Sequence, residues 1–476
     1  MRFTVIGIAS AVVYALWVVW VPLLPANLFV PLLDLGKITG YTWTAALQFL
    51  AIVCALYALY ALGYVLVRRG AASTPAIFVF GAIFAITLLG AYPATAVDVF
   101  GYIAHGRLLA EHHVNPFTNP PNAYPSDTIL PFLAFPNEPS QYGPVWVLLN
   151  GAVAVVGRGD LLTEVILYKV VAALAHLAGG LLVLAIARRL DATACQAQAC
   201  AFLFVWNPLL LWEMVGNAHN DGLMMLGGML AVWLLLRGGE RLSLPALAAG
   251  ALVKLPVIVI SPLLFFAIAR RRLFAAVEGV GLAVFLAGVV YRPFWEGPET
   301  LTALRRTDLF TASLGSVLRL SLEPGLGLST ATEVARGVSL GAFAVVCLVC
   351  LVLALPSPLS GRHLITYSYV ILLAATLLAT TWFQAWYVVW PFAFAAALPD
   401  GRHHLEVALL SLGGLFQYLV FIYLWVIGFF PPYEGIELQA AAFLVIVTPL
   451  LLAIVVARWP RSARVSFHVK ETVDAN

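Results

Sequence analysis

Long apolar runs recur along the whole chain, separated by short stretches where arginines, acids, prolines and glycines collect. They fall near residues 3–24, 43–66, 76–93, 162–187, 197–215, 222–236, 243–253, 257–269, 273–291, 336–355, 364–380, 385–398, 405–428 and 438–457. Runs of about 17–25 residues bounded by charge or Pro/Gly read as membrane-spanning helices. The pattern therefore predicts an all-α polytopic transmembrane bundle of about 12–14 spans, each crossing a hydrocarbon layer of roughly 30 Å. The pair 243–253 and 257–269 is short, with Arg241 and Arg270 at its two ends, and reads as a hairpin turning at Lys254-Leu255-Pro256.

Composition narrows the class. The 476-residue chain is 62% hydrophobic and 10% charged, with mean hydropathy +0.96. A soluble domain carries about 25% charged residues. A water-soluble core with a solvated surface is excluded, and one multi-pass membrane domain over 1–476 is expected, with no soluble domain attached. The first run is too long for a signal-peptide h-region and lacks an A-x-A site, so it is expected to be a retained helix. No inverted repeat of the transporter kind and no low-complexity tract is evident. Cys347 and Cys350 have CxxC spacing, but inside the apolar run GAFAVVCLVCLVLAL they read as small helix residues.

Charge orients the bundle. With the N-terminus in the cytoplasm, the cytoplasmic loops and tail hold 16 of the 26 basic residues, eight lie outside, and Lys169 and Lys254 fall within apolar runs. This is the positive-inside bias of a plasma-membrane protein. The apolar segment GPVWVLLNGAVAVVG, residues 143–157, decides the count. If it crossed, everything after it would invert, leaving 9 basic residues inside and 15 outside. It is also short for a span at about 1.5 Å per residue, and reads as an interfacial or re-entrant helix on the outer side. Both termini then face the cytoplasm, and two long loops, 94–161 and 292–335, face outward.

The stretch ATAVDVFGYIAHGRLLAEHHVNPF, residues 94–117, opens the first outer loop. Its pattern predicts a short helix over 97–110 with Asp98, Tyr102 and His105 on one face, at i, i+4 and i+7. An acid in a first turn suits the helix dipole. One standing where a span emerges, beside other titratable groups, also suits a functional site.

A second cluster, WNPLLLWEMVGNAHNDGLMML, places His219, Asn220 and Asp221 at an outer mouth. Asn220 or Asp221 reads equally as an N-cap for the next helix, or, with His219, as part of an anion site at a helix N-terminus. Lys254 stands at a hairpin tip and Lys169 near a helix start, each either snorkelling or countering a bound phosphate. Weaker candidates are Glu138 and Tyr142 in NEPSQYGPVW, and Arg292, Arg305 and Arg306 in YRPFWEGPETLTALRRTDLF. In TWFQAWYVVWPF, Trp382, Gln384, Trp386 and Tyr387 read as interfacial anchors or a sugar-stacking wall.

Taken in order, an Asp just past an N-terminal span, YxxHGRLLxxxxxNPF, QYGPVW, WNPLLLWEMVGNAHNDGLM, ALVKLP and WFQAWYVVWP resemble the GT-C superfamily of integral-membrane glycosyltransferases. The likeness is to the bacterial polyprenyl-phosphate-mannose-dependent alpha-mannosyltransferases, over about residues 76–455. It implies a long extracytoplasmic first loop with juxtamembrane helices and a catalytic acid in it, the position Asp98 occupies. The family places that acid after its first span. Here it follows the third apolar run, which two extra N-terminal spans explain without changing its side of the membrane.

The chemistry this implies needs one carboxylate. A polyprenyl phosphate departs as a stable anion and needs no acid to protonate it, unlike the two-carboxylate hydrolases. An acceptor hydroxyl needs a base. Asp98 is expected to take that proton as the hydroxyl attacks the anomeric carbon opposite phosphate, inverting the configuration. Lys254, His219 and one or more of Arg292, Arg305 and Arg306 are expected to stabilise the phosphate. Tyr102, His105, Glu138, Tyr142, Asn220, Asp221, Trp382 and Trp386 are expected to bind the sugars, and a groove between spans to hold the prenyl chain. The expected partners are a polyprenyl-phosphate hexose (mannose by resemblance alone), a glycan or glycolipid acceptor, and membrane lipid, with no nucleic acid. Some members of the superfamily use a divalent metal; no dense carboxylate set is seen, and no cofactor is expected.

Two rivals remain. A transporter or lipid flippase would place ionisable residues near the bilayer midplane on broken helices, whereas these candidates gather at outer helix ends. A GT-C enzyme glycosylating protein would bring a peptide-binding module, and none is evident.

Overall fold

The computed structural model describes residues 1–305, 309–355, 359–430 and 435–458. Among these the regular structure is helical, and the β pairing is limited to isolated bridges between Pro22 and Ala91 and between Thr311 and Trp382. Eight helices are long and apolar enough to cross a membrane: Arg2–Trp20, Trp43–Arg68, Leu161–Arg189, Leu273–Phe294, Leu328–Leu353, Gly361–Ala379, His404–Leu424 and Ile436–Val456. A ninth candidate is bent by 43° between Ala194–Val205 and Pro208–Gly216. Asn207 makes that break: its side chain accepts the Leu210 N–H at 3.0 Å, starting a new helix just before a proline.

The other predicted spans are shorter helices, Thr74–Leu89, Asp221–Leu236, Glu240–Ala251, Leu255–Ala269 and Ala385–Ala396. Turns at 217–220, 252–254 and 380–384 cut the helices, where the apolar runs also break. The expected hairpin at Lys254 forms. At its open end Arg272, just past the second arm, reaches Glu240 at 3.7 Å, and Arg241 reaches Glu278 on the next helix, Leu273–Tyr291, at 2.7 Å.

The arginine-bearing turns gather at one end of the bundle. There Arg362 donates to the Leu190 carbonyl at 2.9 Å and Arg270 to that of Ala354 at 3.3 Å. Leu161–Arg189 separates this end from Asp160: its 29 residues, rising about 1.5 Å each, exceed the hydrocarbon thickness. The surplus turns at its start carry two shorter helices. Asp98–Ala110 and Pro144–Gly157 run side by side, then Arg158 and Gly159, with φ of 53° and 79°, reverse the chain into Leu161–Arg189. Tyr168 there donates to Asn150 at 3.0 Å. Leu148, Val155 and Val156 leave the Pro144–Gly157 helix with an exposed apolar face, as an interfacial helix requires.

Arg107 ties this layer down. Its buried guanidinium donates to Glu164 at 2.7 Å, Asp127 at 3.2 Å and the Gly159 carbonyl at 3.3 Å. One cation thereby joins both short helices, the loop between them and the first turn of the long helix. Sequence reading misses it, because the partners lie 20 and 57 positions away.

Candidate active site

Two backbone pairings assemble the site at the end of the bundle away from the arginine-rich turns. Tyr92 N–H donates to Val21 at 2.9 Å and Leu35 N–H to Ala94 at 2.8 Å, fixing the lead into Asp98. Gly143 N–H donates to Val253 and Val145 N–H to Leu252, both at 3.0 Å. That pairing lays Tyr142 beside Lys254. It needs a glycine, since a Cβ on Gly143 would collide with the Leu252 carbonyl.

Asp98 is the first residue of its helix and half-buried. Its Oδ1 accepts the Tyr142 hydroxyl at 3.0 Å. The Lys254 ammonium lies 5.8 Å from the centre of the Tyr142 ring and 5.2 Å from that of Tyr387. Tyr142 thus neighbours both the carboxylate, through its hydroxyl, and the lysine, through its ring. Burial, with Tyr102 and Asp98 close by, holds its hydroxyl well above the usual tyrosine range, so it stays a donor.

Lys254 pairs with Asp221 through both carboxylate oxygens, at 2.9 and 2.8 Å, and Trp390 Nε1 donates to the same carboxylate at 2.6 Å. The Asp221 side chain is sealed, while that of Lys254 keeps 13% exposure. The N-cap reading of this pair is corrected: neither Asn220 nor Asp221 caps by its side chain, because Asp221 is drawn across to Lys254. Asn220 is buried with both amide atoms unpartnered.

A cavity of about 90 Å³ opens over Asp98, lined also by His105, Glu138, Tyr142 and Trp382. His105 Nε2 lies 3.4 Å from the Glu138 carbonyl. Burial, only partly offset by that carbonyl, lowers the imidazole from 6.5 to about 4. Of the predicted face Asp98–Tyr102–His105, only the outer two line the cavity. Tyr102 turns inward, fully buried against Tyr142 and Trp146, each with ring centroids 5.0 Å away. A neighbouring cavity of about 270 Å³ shares Gln141 and Trp382 with the first and is walled by Pro256, Tyr387 and Trp390.

The remaining predicted residues separate. His219 is neither a surface residue nor open to a ligand. It is 1% exposed, stacked on Trp386 with ring centroids 4.0 Å apart, its Nε2 3.4 Å from Glu213. Lys169 is buried and donates to the carbonyls of Leu88, Val215 and Gly216, closing the bent helix rather than facing a ligand. Arg292 is exposed on a segment that docks at the far end of the Asp98–Ala110 helix, where Asn115 donates to Phe294 at 2.8 Å. Arg306 and the Arg305 side chain lie outside the described residues.

Below the site is a network the sequence does not announce. Glu213 accepts from Tyr418 at 2.8 Å and Asn217 at 2.9 Å, and Asn217 donates on to Thr95 at 2.6 Å. Glu213 sits inside an apolar run, and its partner Tyr418 is 205 positions away.

Residues 3–270 match the family described as Alpha-(1->6)-mannopyranosyltransferase, N-terminal domain, which is more than half of the chain. The chain belongs to that family. Asp98, Tyr142, Asp221 and Lys254 lie inside the matched region; Trp382 and Trp390 lie beyond it. Two proteins of Corynebacterium glutamicum are similar. Alpha-(1->6)-mannopyranosyltransferase B is 27% identical over 168 residues, covering 34% of this chain and 27% of that protein. Alpha-(1->6)-mannopyranosyltransferase A is 26% identical over 183 residues, covering 37% of this chain and 36% of that protein. The chain thus matches little more than a third of either relative's length at most.

Proposed function

We propose that this protein transfers a mannosyl group from a polyprenyl-phosphate donor to a hydroxyl of a glycan or glycolipid, on the extracytoplasmic face of the plasma membrane. The observation that carries the reading is Asp98 and Lys254 both neighbouring Tyr142, in a chain of a mannosyltransferase family. The acceptor oxygen attacks the anomeric carbon and its proton passes to Asp98. The bond from that carbon to the phosphate oxygen breaks, and the electron pair leaves with the polyprenyl phosphate. Attack opposite the leaving group inverts the anomeric centre.

Asp221 holds the Lys254 ammonium through both carboxylate oxygens, and an ammonium with three donors keeps capacity for a departing phosphate oxygen. Trp382, Tyr387 and Trp390 supply an aromatic wall beside it. His219, enclosed against Trp386, is not open to the phosphate. The excess of arginines at the opposite end supports the extracytoplasmic assignment.

Purified protein in detergent, given radiolabelled polyprenyl-phosphate mannose and an alkyl alpha-mannoside, tests this. Release of polyprenyl phosphate coupled to a new alpha-linked mannoside is the expected result, read by chromatography and NMR, with labelled polyprenyl-phosphate glucose as the sugar control. No consumption of donor in detergent, with flux of the same lipid in sealed vesicles, would establish a flippase instead.

A further inference from the structure

A second cavity lies beside the one over Asp98 and has no part in the transfer described so far. It holds about 350 Å³, inside the range of roughly 300–1,000 Å³ typical of small-molecule sites. The segment 94–97 divides the two, and Val97 lines both. The walls bring together a carboxylate from Asp34, amides from Gln384 and Gln417, hydroxyls from Tyr41 and Thr95, and the indole of Trp425. No Lys, Arg or His lines it among the described residues. A phosphate would find no counter-charge there, in contrast to the Lys254 side.

Gln417 is the observation that points to a ligand. It is 3% exposed and its Nε2 donates to Phe383 at 3.4 Å, while its Oε1 has no partner. A buried amide oxygen without a donor carries an uncompensated desolvation cost, which a ligand hydroxyl removes. Asp34 has capacity too. It accepts from the Tyr41 hydroxyl at 2.9 Å and from the Lys37 N–H at 2.8 Å, and a carboxylate offers about four acceptor positions. Carboxylate and amides for hydroxyl groups, with an aromatic surface alongside, are what a neutral sugar needs.

We infer that this cavity is a hexose subsite for the acceptor glycan. The acceptor then approaches Asp98 across Val97 from the Asp34–Gln417 side, and the lipid-phosphate donor lies on the Lys254 side. The inference rests on the transfer reading above and adds a direction to it: the two substrates meet at Asp98 from opposite cavities.

The test compares wild type with Gln417→Met, close in volume but without the amide, and Asp34→Asn, whose side chain still caps the following turn. KM is measured separately for polyprenyl-phosphate mannose and for a short-chain alkyl alpha-(1->6)-mannobioside, with thermal midpoints as the check on folding. Each variant is expected to raise the mannobioside KM about tenfold, one hydrogen bond's worth, and to leave the donor KM within about twofold. A rise in donor KM alone would make the cavity the prenyl groove and overturn the assignment, as would no change in either. If wild type consumes no donor, the transfer reading fails, and equilibrium binding judges the subsite by itself. Mannobioside binding to wild type that weakens in both variants upholds the subsite; no binding to wild type overturns it.

Discussion

The Tyr142 hydroxyl meets Asp98 at 3.0 Å across the starts of two parallel helices. Tyr142→Phe removes that donor and keeps the ring packed on Tyr102. A hydrogen bond to a carboxylate is worth about 1.5–3 kcal/mol, or roughly 10- to 150-fold in rate if it serves only the transition state. The expected outcome is a kcat lower by that range, with donor KM and thermal midpoint unchanged. Equal falls in stability and rate would reduce Tyr142 to a packing residue.

Asp221 and Lys254 form one electrostatic unit. Asp221→Asn strands a cation whose side chain is 13% exposed, and breaking such a pair costs about 3–5 kcal/mol when fully buried. A somewhat smaller loss is expected here, in unfolding measured in detergent. Lys254→Met should cost a similar amount, and the double variant less than the sum. Additive losses would mean that the two do not act as a pair.

Gly143→Ala touches no reacting group, yet its Cβ meets the Leu252 carbonyl. The strand-like pairing that sets Tyr142 beside Lys254 must then shift. Transfer is expected to fall more than tenfold, as about 1 Å of misplacement can do, and Gly143→Ser should behave alike. Wild-type rates in either would show that the pairing does not set the site.

His105 gives a pH window. Its imidazole titrates at about 4 in the folded protein against an ordinary 6.5. The unfolded chain therefore binds this proton first, and the neutral ring's contribution is complete above about 6.5. It is lost as pH falls from 6.5 towards 4. The thermal midpoint should drop more steeply across that window in wild type than in His105→Gln. Parallel curves would remove His105 as the cause.

Much of this arrangement is legible in the sequence where the cause is local. The short helix at Asp98 follows from an acid and helix-forming spacing between Pro93 and Asn115, and it forms as Asp98–Ala110. That 143–157 makes only a short helix follows from its length, and it forms as the 14-residue helix Pro144–Gly157. What is not legible is pairing at a distance. Asp221 looks like a cap because its neighbours invite one; its actual partners, Lys254 and Trp390, are 33 and 169 positions away. His219 looks exposed because it follows a polar turn, and only the fold shows Trp386 closing over it. The apolar runs are legible too, and the break between 364–380 and 385–398 falls at the turn 380–384; what hydropathy does not register is how short a helix such as Ala385–Ala396 is.

Asp98→Asn is the most direct measurement. The amide keeps an oxygen to accept from Tyr142 but cannot take a proton. Assayed with saturating polyprenyl-phosphate mannose and an alkyl mannoside, it should lose transfer by about 10²–10⁴-fold, the usual worth of a general base, with donor binding and thermal midpoint retained. Transfer at the wild-type rate would contradict the account.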